Sequence, residues 1–288
     1  MYDGLILKIQ SIATKFSTKH LSYAGRIQVL NSVVFGLTNF WCTSLLMPRQ
    51  ICKRINRISK SIFWGHAFND RKPVFKSLTS ICTPWEEGGF NIKSLQAWNT
   101  AALLQWLWKI DQNQGAIWTK WIDNYITNST SIWDVVAHEK HSESIRGILQ
   151  IWDSCIQNMG GFHSFQLLLR SFTVRDKFSI RKAYAHIRNC GSPQPVYNAI
   201  HHGTMVSRHK VLLMLAVQDR LATVAKLMSR GLPMANRCSL CKQATETSTP
   251  LFFSCNYTGE LQHCVKQWTN IHFSSTELSS LLLWKRIS

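Results

Sequence analysis

The stretch PRQICKRINRISKSI, residues 48–62, has apolar residues that recur at helical rather than strand spacing, and Pro48 suits the first position of a helix. Plotted at about 100° per residue, four isoleucines fall within about 60° of one another: Ile51, Ile55, Ile58 and Ile62. The opposite face carries four cations: Arg49, Lys53, Arg57 and Lys60. The stretch therefore predicts a helix that buries its isoleucines. Its cationic face is either a phosphate-binding surface or an ordinary solvated surface.

Helical spacing recurs on both sides of this stretch, so the predicted fold class is mainly α. The other helical stretches are residues 4–18, 22–39, 92–110, 207–216 and 218–229. The first two predict a helical hairpin, and the tryptophans of the third are interpreted as core residues. Residues 66–90 contain two prolines and two adjacent glycines, which predicts irregular or short β structure there.

The chain is strongly basic, with 33 Lys and Arg against 15 Asp and Glu in 288 residues, a formal net charge of +18. The charge is +9 over residues 1–100, −1 over residues 101–150 and +9 over residues 151–250. Such a charge favours polyanionic partners, and phosphate contact without sequence specificity is its simplest use. The alternative is that the cations only solubilise the surface.

No apolar run approaches the roughly 18–20 residues that a membrane span needs, and the first twenty residues show no signal-peptide core. The sequence therefore predicts an intracellular protein, nuclear or cytoplasmic and not secreted, with no membrane partner. Nine cysteines, unevenly placed, argue against a disulfide scaffold.

Three of these cysteines have the spacing of a metal site. Cys238 and Cys241 form a Cys-x2-Cys turn, and Cys255 follows after thirteen residues. Two residues between thiolates let both reach one tetrahedral ion, as in structural zinc sites. The fourth ligand would be His263, Cys264 or water. The alternative is that the three cysteines are buried in a small core.

No catalytic pattern accompanies the cysteines. The Asp residues are scattered singly, so the sequence offers no obvious carboxylate pair for a two-metal site. It also contains no His-Glu-x-x-His, no Gly-x-Ser-x-Gly and no phosphate-binding glycine loop. On residues alone, an enzyme is the weaker interpretation.

Three blocks of the sequence carry a family pattern. The first is LSYAGRIQVL at residues 21–30, and the second runs from EEGGF at residues 86–90 to Leu104. The third runs from Arg208-His209-Lys210 through the Cys-x2-Cys turn to Leu251-Phe252-Phe253-x-Cys255. In this order they resemble the region beyond the polymerase palm, and then the zinc-binding domain, of reverse transcriptases from plant non-LTR (LINE-type) retrotransposons.

The resemblance implies four segments along the chain. They are a thumb-like and connector helical region (residues 1–115), a helical linker region (116–176), a small helical zinc-knuckle domain (177–270) and a C-terminal tail helix (271–288). Members of the family are RNA-directed DNA polymerases whose palm domain carries a Tyr-x-Asp-Asp motif. This sequence has no such motif. The resemblance therefore implies a C-terminal fragment that is not an enzyme by itself.

The sequence departs from the family pattern at two positions. The family has a His immediately before Leu-Phe-Phe-x-Cys, where this sequence has Pro250, which offers no ligand atom. Gln262 lies close to where the family has a Trp. The resemblance thus implies Zn²⁺ as a cofactor held by Cys238, Cys241 and Cys255, at a site that is degenerate at Pro250.

The leading prediction is a non-catalytic nucleic-acid-binding fragment whose basic faces contact the phosphates of RNA or DNA. The residues predicted to make these contacts are Lys53, Arg54, Arg57, Lys60, Arg208, Lys210, Arg220 and Arg230. One alternative is a protein-interaction module that packs on a reverse transcriptase palm supplied in trans. The other is an inert retroelement relic.

Overall fold

The computed structural model describes residues 2–16, 21–65, 77–112, 117–127, 131–159, 161–188, 191–201, 205–229, 231–243, 245–247 and 250–270. These residues are mainly α-helical, which confirms the predicted fold class. Within them, no helix combines the length and the apolar character needed to cross a membrane.

The chain divides into two compact units, each built from separate stretches of sequence. The first comprises Met1–Lys19, Arg26–Phe68 and Lys93–Cys190, and the second comprises His20–Gly25, Asn69–Ile92 and Gly191–Ser288. The four segments implied by the resemblance, with boundaries after residues 115, 176 and 270, stay a prediction, and the predicted tail helix (271–288) lies outside the described residues.

Helices provide most of the first unit. In chain order they are α1 (Asp3–Phe16), α2 (Tyr23–Val29, which begins in the second unit), α3 (Phe35–Ser44), α4 (Arg49–Trp64), α6 (Leu95–Asp111), α7 (Ile117–Ile122), α8 (Glu143–Met159), α9 (Phe162–Ser171) and α10 (Ile180–Ile187). A π-helical turn, Leu30–Val34, joins α2 to α3, so the second predicted helix is one nearly continuous element. Strands β1 (Thr173–Val174) and β2 (Lys177–Phe178) form an antiparallel hairpin.

Helix α6 is central to the first unit and packs against α3, α4, α8 and α10. Its Asn99 is 2% exposed and donates to the carbonyl oxygens of Cys42 and Leu45, both at 2.7 Å, while its Oδ1 accepts from the Met47 N–H at 2.9 Å. One side chain thus satisfies backbone groups that the end of α3 leaves unpaired. Trp106 donates from its indole to the Thr43 carbonyl, so this tryptophan packs against α3, in keeping with the predicted core role.

The sequence predicted correctly the buried face of α4. Ile55, Ile58 and Ile62 are at most 2% exposed, and Ile51 is half-buried. Gly65, at φ 67°, ends the helix in the left-handed conformation that glycine adopts readily. The isoleucines hold α4 against α1, which leaves the opposite face to the solvent.

The second unit contains α5 (Leu78–Ile81), α11 (Pro195–Ile200), α12 (Ser207–Val217), α13 (Val224–Met228) and α14 (Asn256–Thr269). The EEGGF block packs on α11 and is held by bonds from distant residues. Gln218 donates from Nε2 to the Gly88 carbonyl at 2.7 Å, and the Gln194 N–H donates to the Glu86 carbonyl at 2.9 Å. A Cβ on Gly89 would lie 1.9 Å from the Thr83 carbonyl oxygen, so only glycine fits there.

The predicted helix at residues 218–229 is wrong in its start, because α12 ends in a turn that separates it from α13. Asp219 has φ 49°, and its N–H donates to the Ala216 carbonyl while the Arg220 N–H donates to the Leu215 carbonyl. This pair of bonds is the Schellman arrangement that closes a helix. The second helix begins only at Val224.

Candidate metal centre and basic surfaces

The structure brings the three predicted thiols together. The Sγ atoms of Cys238, Cys241 and Cys255 all lie within 4.8 Å of one another, and those of Cys238 and Cys255 are 3.8 Å apart. Sulfur ligands about 2.3 Å from a tetrahedral zinc ion lie about 3.8 Å from each other. Disulfide sulfurs would be only about 2.05 Å apart. The separation therefore fits zinc coordination.

Local backbone structure positions the thiols. The Lys242 N–H donates to the Cys238 carbonyl at 2.8 Å and closes the Cys-x2-Cys turn. Lys242 itself is left-handed, at φ 60°. The third thiol comes from a separate segment, because Cys255 is the capping residue that directly precedes α14.

Hydrogen bonds and burial act in opposite directions on the first thiol. The N–H groups of Cys241 and Leu240 hydrogen-bond to Cys238 and lower its pKa, whereas burial and the neighbouring thiols of Cys241 and Cys255 raise it. The net effect is a raised pKa. The two N–H groups are also suited to supporting a metal-bound thiolate from outside the coordination sphere.

The predicted fourth ligands do not join this cluster. Among the described side chains, the group that can hold a metal contains the three cysteines and neither His263 nor Cys264. Both are exposed on α14, eight and nine residues beyond Cys255, which is a rise of about 12 Å or more along the helix axis. Pro250 opens a π-helical turn, Pro250–Ser254. The identity of the fourth donor stays a prediction.

Gln262, near the position where the family has a Trp, makes a polar contact in the structure. Its Nε2 donates to the Phe252 carbonyl at 2.7 Å. The bond ties α14 to the π-helical turn that precedes Cys255.

Two residues that hydrogen-bond near the Cys-x2-Cys turn, Glu246 and Asn236, were not predicted from the sequence. Glu246 accepts from the Ser239 N–H at 3.1 Å through Oε2, and its own N–H donates to Asn236 Oδ1 at 3.0 Å. A signal was present in the sequence, since Glu246 is the only acidic residue between Arg220 and Gly259. A lone carboxylate inside a basic segment points to a specific local partner.

Residues 178–261 match a family described as zinc-binding in reverse transcriptase. Over this stretch the chain is similar to the zinc-binding family of reverse transcriptases, and we call residues 178–261 the zinc-binding domain. All three clustered cysteines lie inside it, so the expected cofactor is zinc and the domain contains a site that can hold it.

The chain is also similar to a putative ribonuclease H protein of Arabidopsis thaliana, at 24% identity over 118 residues. The alignment covers 41% of this chain and 19% of that relative, so the chain matches well under two thirds of the relative's length. Together with the zinc-binding domain, this similarity confirms the predicted relationship to reverse transcriptases of plant retroelements.

The first predicted basic surface lies on α4, outside the zinc-binding domain. Lys53, Arg54 and Arg57 are exposed, and Lys60 is half-buried. Arg54 forms a salt bridge with Asp3 at 3.7 Å, with both side chains more than half exposed. Exposed pairs of this kind contribute little stability. We call the row Arg49, Lys53, Arg57 and Lys60 the α4 cationic face.

The second predicted basic group lies in the zinc-binding domain and is less uniform. Arg208 and Arg220 are exposed. Lys210 is half-buried, and its ammonium donates to the His201 carbonyl at 3.5 Å, so it has a local structural contact. Burial and the nearby Lys210 charge lower the pKa of His201, although Glu86 opposes them. Arg230 lies outside the described residues.

Arg220 also lines an open cleft of about 570 Å³ in the second unit. Its neighbours in the cleft wall include the hydroxyl side chains of Ser77, Ser80 and Thr83. Arginine and hydroxyl side chains can donate to phosphate oxygens, but Glu87 also lines this cleft and its carboxylate would repel an anion.

Proposed function

We propose that the chain is a non-catalytic nucleic-acid-binding fragment of a reverse transcriptase type. In this proposal Cys238, Cys241 and Cys255 hold a structural zinc ion, and exposed Lys and Arg side chains contact the phosphates of RNA or DNA. The observation that carries the nucleic-acid part is the α4 cationic face. It lies opposite the isoleucine stripe of the same helix, in which Ile55, Ile58 and Ile62 are buried and Ile51 is half-buried.

The geometry of α4 supports phosphate contact. Arg49 and Lys60 are separated by a rise of about 16 Å, so the four cations form a row rather than a cluster. The buried isoleucines fix the rotation of the helix and keep this row turned to the solvent. Arg54 can exchange its weak, exposed pair with Asp3 for a phosphate, because such a pair is largely screened by water and salt.

The non-catalytic part rests on the acidic residues. The sequence contains no Tyr-x-Asp-Asp motif. Among the described residues, the group able to hold a metal ion consists of thiols and includes no carboxylate. A two-metal polymerase centre needs clustered carboxylates, so we infer that polymerisation would require a palm supplied in trans. A nuclear or cytoplasmic location would follow from a nucleic-acid partner inside the cell.

Binding of single-stranded RNA and duplex DNA, titrated across salt concentrations, tests the proposal. The double substitution Arg57→Gln and Lys60→Gln removes two charges from the α4 cationic face. The slope of log K against log salt is negative. If both side chains contact phosphates, their removal should make this slope less steep by about 1.4 for the single strand and about 1.8 for the duplex. The matched control is Lys120→Gln with Lys140→Gln, which removes two exposed charges from the near-neutral middle of the sequence.

The control should keep the slope of the unmodified chain. Equal slopes for both double variants would remove α4 from the interface. Weak binding of both ligands at low salt, for the unmodified chain, would refute nucleic-acid binding and leave the charge as a determinant of solubility.

One observation favours the alternative of a protein-interaction module. Helix α14 exposes four large apolar side chains at helical spacing on one face: Tyr257 at 52%, Leu261 at 54%, Val265 at 40% and Trp268 at 87%. Exposed apolar stripes are typical of interfaces. Sedimentation of the purified chain distinguishes the cases, because an interaction module should self-associate or bind an isolated palm. An inert relic should lack a cooperative thermal transition.

A further inference from the structure

Glu246 joins three segments of the zinc-binding domain through four hydrogen bonds. Its carboxylate accepts from the Ser239 N–H at 3.1 Å and from the Val224 N–H at 3.3 Å. Its carbonyl oxygen accepts from the Ala225 N–H at 3.3 Å, and its N–H donates to Asn236 Oδ1 at 3.0 Å. The residue therefore connects the cysteine turn, the loop before it and the beginning of α13.

Helix α13 depends on this contact for its first turn. The first N–H groups of a helix have no partner inside the helix and need an acceptor from elsewhere. Thr223 occupies the capping position, but its side chain makes no capping bond, and among the described residues its hydroxyl is buried without a partner. Glu246 supplies the acceptors instead, from 22 residues away, to both Val224 and Ala225. A carboxylate is a stronger acceptor here than a neutral group.

The second carboxylate oxygen of Glu246, Oε2, accepts a hydrogen bond from the Cys-x2-Cys turn. Ser239 directly follows Cys238, so the bond to its N–H fixes the peptide unit that carries the first thiol. Both oxygens of Glu246 already accept N–H groups, and within the part of the chain that the structure describes the metal-holding group does not include this side chain. Glu246 is therefore a positioning residue, not a ligand.

The residues that lead into and begin α13 include two cations and one carboxylate: Arg220, Lys226 and Asp219. Lys226, within the helix, pairs with Asp219 at 2.6 Å and also donates to the Asp219 carbonyl, and Arg220 follows directly. The conformation of residues 219–226 is thus linked to the first turn of α13. Glu246 separately links the first turn of α13 to the cysteine turn, through its hydrogen bonds with Val224 and Ser239.

We propose that Glu246 couples zinc binding at the cysteine turn to the order of α13 and, through it, to the conformation of residues 219–226, which include Arg220 and Lys226. The last step rests on the proposed nucleic-acid function; the first does not. Zinc restricts the Cys238–Cys241 turn, so the Ser239 N–H keeps a fixed position and the carboxylate stays in place to cap α13. Because such coupling is reciprocal, removing the carboxylate must also weaken zinc binding.

The test measures amide hydrogen exchange of residues 224–229 with and without zinc, together with zinc affinity by chelator competition, on the full chain. In the unmodified chain, zinc should slow exchange in this segment. Glu246→Ala should weaken zinc binding by about ten- to a hundredfold, as loss of supporting contacts around a metal site does. At saturating zinc, confirmed by the thiolate-to-cobalt absorption of the Co²⁺ form, α13 in this variant should still exchange fast.

Two further variants keep the test decisive. Glu246→Gln retains one carbonyl acceptor, so it should show intermediate zinc affinity and intermediate protection. It also serves if the alanine variant does not fold. Glu260→Ala removes an exposed carboxylate from α14 in the same domain and should behave as the unmodified chain.

The coupling is wrong if zinc leaves the exchange of residues 224–229 unchanged in the unmodified chain, or if Glu246→Ala binds zinc and protects α13 normally. None of these measurements uses a nucleic acid. Failure of RNA and DNA binding would therefore refute the proposed function while leaving the coupling between zinc and α13 intact.

Discussion

The prediction that tests the metal site most directly compares a cysteine inside the thiol cluster, Cys255, with one outside it, Cys264. Cys255, at the start of α14, is 1% exposed and lies 3.8 Å from the Cys238 thiol. Cys264, nine residues later, is exposed and outside the thiol cluster. Cys255→Ser should abolish zinc-dependent stabilisation, and Cys264→Ser should leave it unchanged.

The magnitude follows from binding linkage. Free zinc at about 100 times its dissociation constant stabilises the folded state by about 2.7 kcal/mol. For a unit of about 100 residues this corresponds to a rise in Tm of roughly 10–20 °C. A four-ligand site supplies about 10–16 kcal/mol in total, so loss of one thiol removes about 2.5–4 kcal/mol and weakens binding by about two to three orders of magnitude.

Thermal unfolding at buffered free zinc is the assay. At the zinc concentration that raises the Tm of the unmodified chain by the full amount, Cys255→Ser should show a residual stabilisation of about 0.4 kcal/mol or less. A full zinc shift in Cys255→Ser would refute the three-thiol site. Loss of the shift in Cys264→Ser would show instead that Cys264 is the fourth ligand, which requires α14 to unwind near its start.

Two other predictions concern the first unit. Asn99→Ala leaves one N–H and two carbonyl groups buried without this partner. At about 1–3 kcal/mol per group, this should lower the free energy of unfolding by about 3–9 kcal/mol. Urea unfolding measures the loss, and substitution of the exposed Gln96 on the same helix (Gln96→Ala) should change little. Burial raises the pKa of Cys42 to about 12. At pH 8 this lowers the thiolate fraction of Cys42 by about a thousandfold relative to its ordinary value, so iodoacetamide should label the exposed Cys264 and spare Cys42. Peptide mass spectrometry resolves the two sites, and equal labelling would contradict the prediction. Because the folded pKa of this thiol lies above its unfolded value, its contribution to stability is present below about pH 9 and is lost as the pH rises toward 12.

The sequence was sufficient wherever the determining pattern is local. Isoleucine spacing predicted the buried face of α4, and the Cys-x2-Cys turn with a third cysteine predicted the thiol cluster. Both patterns are complete within twenty residues, so no knowledge of distant contacts is needed to interpret them. The middle of the chain was less informative. There Trp133, Trp152 and Phe165 pack into a cluster of the core that weak helical periodicity did not reveal.

The features that the sequence did not reveal depend on pairs that are distant in the chain. Asn99 reads as a polar interruption in an apolar helix until its partners at the end of α3, more than fifty residues earlier, are known. Glu246 likewise reads as a solvated charge until its bonds to Ser239 and Val224 are known. In both cases a polar side chain satisfies backbone groups of another segment, and spacing rules contain no information about which segment that is. A single polar residue in an otherwise apolar or otherwise basic stretch is therefore the signal to follow, because burying or isolating it is unfavourable unless the fold supplies a specific partner.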